Sequence, residues 1–416
     1  MLTCIACTLA ASVALSAKGA ETQRMAFPEK NWQETVPASE GVDGARLAAA
    51  VRYLGKDCGR DGVKELVIVR NGRMIWKGGN IDRVHGVWSV TKSFTSTVLG
   101  LLVADGKCAL ETRAAEHLPC LAAAYPGVRL RHFATMTSGY RAVGDEPRGG
   151  YIHGPSATPF TPAARPLFTP PGSKFAYWDS AMNQFANVLT RIAGEPIEKL
   201  FKRRIADPIG MNRAKWDWKD FGTIEGIVVN GGSGNANRHV CISARELARF
   251  GHLFLNRGRW KGRQLLAASW VDAATKVQVR SAMPWAQPAS RIDGRGVYGH
   301  NWWVNGIGAN GKRKWPGAPA GTFAACGYNN NKCFVIPEWR MVIVRLGTDG
   351  NVKDSVWSKF LGMIGKAVLA SRRPSGKGER PASRGARPAP ARQKASEALA
   401  PRRGRRDAAA AARGRE

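Results

Sequence analysis

Ser89 and Lys92 stand three residues apart in Trp88-Ser89-Val90-Thr91-Lys92-Ser93-Phe94. On a helix that spacing puts both side chains on one face, about a turn apart. A serine in the first helical turn lies where unpaired N–H groups and the positive end of the dipole favour an oxyanion. An amine one turn later, held in an apolar setting, loses solvation, which favours its neutral form. It can then take the serine proton and turn a weak hydroxyl into a nucleophile. Ser-x-x-Lys alone is common and usually marks a solvated helix face, so its context must decide. Two further stretches line up after it in the chain. Phe175-Ala176-Tyr177-Trp178-Asp179 follows a Pro171-Gly172 turn, and Ala325-Cys326-Gly327-Tyr328 opens the C-terminal run of strands.

The elements that must position these residues can be read from periodicity. Thr95 to Val103 is apolar or small and ends at Asp105-Gly106, which predicts a buried helix with a glycine stop. Asp43 reads as the N-cap of a helix through Leu47, Val51 and Leu54. Glu65–Arg70 and Arg73–Lys77, joined by Asn71-Gly72, form the clearest hairpin in the chain. Helical spacing recurs at 179–192, capped by Asp179 or Ser180, and at 244–256, capped by Ser243 with Glu246 three residues on. Strand-like runs return at 298–304, 321–327, 332–336 and 340–346, followed by a last helix over 355–369. Strands at both ends with helices between predict an α+β fold: one mostly antiparallel sheet flanked by helices, with a helical insert over about 105–290. The Pro- and Gly-dense stretch 141–173 is expected to wrap the surface near the site.

The order of the three stretches, with several side motifs, resembles the serine β-lactamase and penicillin-binding-protein superfamily, in particular its class C-related esterase and amidase branch. Ser89-Val-Thr-Lys-Ser-Phe94 matches the nucleophile motif. Thr135–Gly139, Asp207–Met211, Ser243–Gly251 and Tyr298–Trp303 match recurrent family segments. The resemblance covers about residues 40–369 and implies the β-lactamase/transpeptidase-like fold. It implies that Ser89 forms an acyl-enzyme, that Lys92 accepts its proton or assists another base, and that Tyr177 hydrogen-bonds between nucleophile and leaving group. It further implies an oxyanion hole from the backbone N–H groups of Ser89 and Tyr328, and no metal or organic cofactor. Two departures stand out. Asp179 occupies a place where the family often has Asn, either facing substrate or capping the next helix. Ala325 occupies the place where β-lactamases and DD-peptidases commonly carry Lys or His, which argues against efficient penicillin hydrolysis. Asp179, Ala325, Gly327 and Asn330 are the expected substrate-side residues, although a hairpin turn would also explain Asn330. His85 and His132 lie poorly for a Ser–His–Asp triad, and the 7 histidines lack metal-ligand spacing.

Composition bounds the remaining classes. The 416 residues carry 63 Lys+Arg against 31 Asp+Glu, a net charge of +32. From Ser371 to Glu416 there are 14 basic and 4 acidic residues and almost no large apolar side chain, which reads as a disordered basic tail. Such a charge favours contact with an anionic polymer or surface, but no specific nucleic acid is implied. A penicillin-fold protein that only binds such a polymer is the non-enzymatic reading, and a DD-peptidase or weak β-lactamase is the rival enzymatic one. Met1 to Ala17 is apolar or small and ends near small-x-small sites, resembling a signal peptide (residues 1–19) without its basic start. Export to the periplasm or beyond is the resulting expectation. In an oxidising compartment Cys108 with Cys120 would close a short loop. Cys326 with Cys333 would staple a hairpin if Asn329-Asn330 were a two-residue turn, leaving Cys58 with Cys241.

Overall fold

A computed structural model describes residues 25–145, 159–287, 292–350 and 352–368. The expected leader and basic tail lie outside the described residues, as does part of the Pro- and Gly-rich stretch.

The hairpin forms as the sequence predicts. Strands β1 (Glu65–Arg70) and β2 (Arg73–Lys77) are joined by Asn71 and Gly72, both at positive φ (50° and 82°). That is the backbone a two-residue hairpin turn demands. Four strands from the far end of the chain complete the sheet: β3 (Trp303–Val304), β4 (Phe323–Gly327), β5 (Asn331–Ile336) and β6 (Met341–Leu346). The order is β3-β4-β5-β6-β1-β2, antiparallel throughout, with β1 against β6 in register Glu65↔Leu346 to Arg70↔Met341. Both ends of the chain therefore build one sheet.

Helices cover both faces. Successive strand residues point to opposite sides, and β5 displays this directly. The Cys333 Sγ contacts the Leu247 carbonyl of the helix Ala244–Leu255, whereas Phe334 packs on Trp357 of the final helix, Asp354–Ala367, with ring centroids 5.6 Å apart. With water excluded on both sides, β1 and β6 read as continuous apolar runs rather than alternating ones. The helix α1 (Gly44–Asp57) begins where Asp43 accepts from the Arg46 N–H, and it packs beside the final helix. Ser243 likewise caps its helix by accepting from Glu246 N–H.

The segment between the sheet halves carries α2 (Thr91–Ala104) and α3 (Asp179–Ala193). Thr91 to Leu102 are all buried, and Phe94 stacks on Phe250 at 4.2 Å. Buried on all sides, α2 belongs in a core, and its hydroxyl side chains are satisfied by backbone carbonyls, as Ser93 by Asn301 and Ser96 by His300. This segment is not purely helical, since it also contains a three-stranded sheet of His85–Gly86, Val240–Ile242 and Trp216–Trp218, together with two small hairpins.

The expected disulfides do not form: the 6 described cysteines are free thiols. The β4–β5 loop explains one case. Gly327 pairs with Asn331, so the loop has three residues, and Cys326 faces Lys332 while Cys333 faces Ala325. A one-residue slip of register sends the two sulfurs to opposite faces of the sheet.

Candidate active site

Ser89 lies in a 3-10 turn, Trp88–Val90, that runs straight into α2. The turn is pinned from three directions. Val87 N–H donates to the Val240 carbonyl, Val240 N–H donates to Thr91 Oγ1 at 3.0 Å, and the turn packs against the ends of β4 and β5. Trp88 adopts φ 53°, a left-handed conformation unusual for a bulky residue. Its ring rests between His239 (5.2 Å) and Tyr328 (5.4 Å). Such strain is held by surrounding contacts and clusters at functional sites.

Two glycines allow the close approach. A Cβ on Gly234 would fall 2.6 Å from Ser89 N, and one on Gly327 would fall 2.2 Å from the Val87 carbonyl oxygen and 3.2 Å from Ser89 N. The end of β4 therefore touches the backbone of the nucleophile turn. The N–H of Ser89 and that of Tyr328, the residue after Gly327, belong to these two touching segments. Tyr328 itself is exposed.

Helical geometry brings the Lys92 ammonium to 2.8 Å from Ser89 Oγ. The amine is not in the apolar setting that its neighbours in sequence predict. It donates to Asp179 Oδ1 at 2.6 Å and to Ser233 Oγ at 3.0 Å, and it lies 4.6 Å from the centre of the Tyr177 ring. The Ser233 hydroxyl donates in turn to Asp179 Oδ1. Lys92, Asp179 and Ser233 are buried, while Ser89 is half-exposed, as a nucleophile must be.

Tyr177 hydrogen-bonds Ser89. Burial, then the Asp179 carboxylate, push its phenol well above the ordinary range, so it stands as a proton donor. Its ring stacks on Trp303 at 6.0 Å and meets the edge of Tyr298 at 6.3 Å. The adjoining residues are fixed by one buried carboxylate: Asp145 accepts from Trp178 Nε1 and Ser180 Oγ, both at 2.8 Å.

One sequence-based expectation is corrected here, and the other singled-out residues find their places. Asp179 does not cap α3; it is the first helical residue, its cap position is Trp178, and its carboxylate points at Lys92. Asn330 is buried, accepting from Val352 N–H at 2.8 Å and donating to the Asp349 carbonyl at 3.5 Å. Ala325 is buried in β4 opposite Cys333, with no cation in its place. His85 pairs with Glu65 at 2.8 Å, and His132 accepts from Arg129 N–H through Nδ1. Neither histidine joins the Ser89 cluster. Sequence reasoning missed Ser233. Its one signal was the run Gly231-Gly232-Ser233-Gly234, whose backbone must pass close to other chains of atoms.

A half-exposed hydroxyl bonded to a buried amine and a buried phenol, beside two backbone segments in contact, is an arrangement suited to acyl transfer. Comparison with known proteins agrees in kind. The family model described as Beta-lactamase matches residues 47–356. A D-alanyl-D-alanine-carboxypeptidase/endopeptidase AmpH of Escherichia coli K12 is 31% identical over 142 residues, covering 32% of this chain and 36% of that protein. The match thus spans about a third of the length of the curated relatives. Among solved structures, a penicillin-binding protein homologue from Caulobacter crescentus is similar with TM-score 0.58 at 17% identity, over 79% of this chain and 99% of that one. EstCE1, a hydrolase with promiscuous acyltransferase activity, is similar with TM-score 0.57 at 16% identity, over 80% and 100%. These two likenesses show a shared fold.

Proposed function

The chain belongs to the Beta-lactamase family, and from that premise we propose that it is a serine hydrolase cleaving an ester or amide through an acyl-enzyme on Ser89. The observation that carries this reading is the 2.8 Å contact between Lys92 Nζ and Ser89 Oγ, with Tyr177 bonded to the same hydroxyl. Ser89 Oγ attacks the carbonyl carbon and gives up its proton on the Lys92 side. The backbone N–H groups of Ser89 and Tyr328 receive the oxyanion, worth about 3 kcal/mol for each donor at its best. Tyr177, protonated and close to Ser89, supplies the proton to the departing alcohol or amine. Water then releases the acyl group by the reverse sequence.

Buried Ala325, where penicillin-directed relatives carry a cation, favours a substrate without a carboxylate at that position. The AmpH relative favours a second reading, a peptidoglycan-directed peptidase or weak β-lactamase. The apolar run with small-x-small sites near the start of the sequence supports an exported protein, and the basic terminal stretch supports contact with an anionic polymer. The test compares wild type and Ser89→Ala on a short acyl p-nitrophenyl ester and on nitrocefin. Ester turnover abolished by the substitution, with nitrocefin untouched by wild type, is the expected result. Nitrocefin turnover that depends on Ser89 would establish the second reading instead, and ester turnover equal in both proteins would refute a Ser89 mechanism.

A further inference from the structure

The Lys92 amine meets three acceptors, Ser89 Oγ at 2.8 Å, Asp179 Oδ1 at 2.6 Å and Ser233 Oγ at 3.0 Å. An ammonium has three protons to give, so all of them are placed. In the ion pair with Asp179 the nitrogen has no lone pair turned toward Ser89. Tyr177 is no better as an acceptor, since burial and the same carboxylate keep its phenol protonated. The group in this cluster with capacity for a proton is the Asp179 carboxylate, one atom beyond the amine. An asparagine there, the residue that the family resemblance leads one to expect, could not fill that role.

We infer that Asp179 is the terminal acceptor of the Ser89 proton, taken up through Lys92, and that Ser233 holds its Oδ1 in line for the transfer. The inference rests on the acyl-enzyme reading of Ser89. In the step, the Ser89 Oγ–carbon bond forms as the carbonyl π pair moves onto oxygen. The Oγ proton passes to Lys92 Nζ while Nζ passes one of its own to Asp179 Oδ1. The cluster begins as carboxylate, ammonium and neutral substrate, and ends as carboxylic acid, ammonium and oxyanion. Total charge is unchanged, and the negative charge has moved from Asp179 to the oxyanion with the ammonium still between them. When the leaving-group bond breaks, Tyr177 gives its proton to the leaving group and takes one from the adjoining Lys92, which recovers its own from Asp179 and so restores the carboxylate. A neutral amine acting alone would instead have to exist at the expense of the buried carboxylate's partner, which is costly. Asp179 does not touch the substrate in this scheme; it is a positioning and proton-storing residue acting through Lys92.

The experiment is Asp179→Asn in the full chain, with Asp179→Glu as the variant that keeps the carboxylate. Each is followed on a p-nitrophenyl ester from pH 5 to 10 and by the rate of fluorophosphonate labelling. The groups facing the pair are Tyr177, Tyr298 and His239, which remain unchanged in all three proteins. Expected for Asp179→Asn is a loss of about 100-fold in kcat at neutral pH with KM nearly unchanged. Asp179→Glu, which keeps a carboxylate beside the amine, should recover part of the rate. An Asp179→Asn enzyme within about threefold of wild-type kcat, or a Glu variant no better than Asn at equal melting temperature, would overturn the relay while leaving the hydrolase intact. A wild type that neither turns over ester nor labels at Ser89 would remove the hydrolase reading and the relay together.

Discussion

Gly327→Ala is a substitution of one methyl group at the point where β4 meets the nucleophile turn. The added Cβ would lie 2.2 Å from the Val87 carbonyl oxygen. An unstrained carbon–oxygen contact needs about 1 Å more, and a misplacement of that size near the reacting atoms can cost about 100-fold in rate. Both colliding groups are backbone, so no side chain can swing aside. The strand end must retreat from Val87, and with it the next N–H, that of Tyr328, moves away from the N–H of Ser89. Losing one oxyanion donor costs about 2.7–4 kcal/mol of transition-state stabilisation. Oxyanion donors act on charge that develops in the transition state, so the loss should fall mainly on kcat. The measurement is initial-rate kinetics on a p-nitrophenyl ester, with thermal melting beside it, and the expected outcome is kcat lowered about 100-fold with KM little changed and a folded protein. A folded Gly327→Ala enzyme within about threefold of wild-type kcat would refute the placement of the oxyanion hole between these two segments.

Tyr177→Phe keeps the ring that stacks on Trp303 and lies beside Lys92, and removes only the hydroxyl bonded to Ser89. It should lower kcat by about 100- to 10,000-fold with little change in melting temperature, and unchanged kcat would exclude Tyr177 as proton donor. A second outcome concerns pH. His132, His252 and His300 are buried, and desolvation pushes each down to about 4, so they stay neutral when folded and take up protons on unfolding. Their contribution to stability is complete above about pH 6.5 and is lost as pH falls toward 4, at up to about 1.4 kcal/mol per pH unit for each proton. Glu198 and Glu246, whose carboxyls burial pushes upward, work in the opposite sense over part of that window. Urea unfolding between pH 7 and 4 should show the decline, and a flat profile would mean that the three imidazoles are solvated. Finally, Ser233→Ala removes the hydroxyl that donates to Asp179 and accepts from Lys92. About a tenfold fall in kcat is expected, smaller than that of Asp179→Asn, and a larger fall would make the hydroxyl rather than the carboxylate the essential group.

Much of this molecule is local, and what is local was readable. The Asn71-Gly72 turn needs two left-handed residues, and those residue types announce it. Asp43 and Ser243 announce their helices because a short oxygen acceptor before an apolar run satisfies N–H groups that nothing else can. The one-turn spacing of Ser89 and Lys92 follows from helical pitch alone, and the family motifs carried Tyr177 to the same site. Tertiary structure decided what each of these side chains meets. The electrostatic setting of Lys92 depends on Asp179 and Ser233, 87 and 141 residues away in sequence, and no periodicity encodes a contact at that range. Asp179 looked like a cap because caps and ion-pair partners draw on the same residue type; only the approach of α2 to α3 chose between them. Cys326 and Cys333 looked like a staple because loop length, hence register, is settled by how the turn packs, and one residue's difference reverses the face. Side-chain types set which chemistry is possible, while the distances that select among the possibilities are fixed by packing between segments remote in the chain.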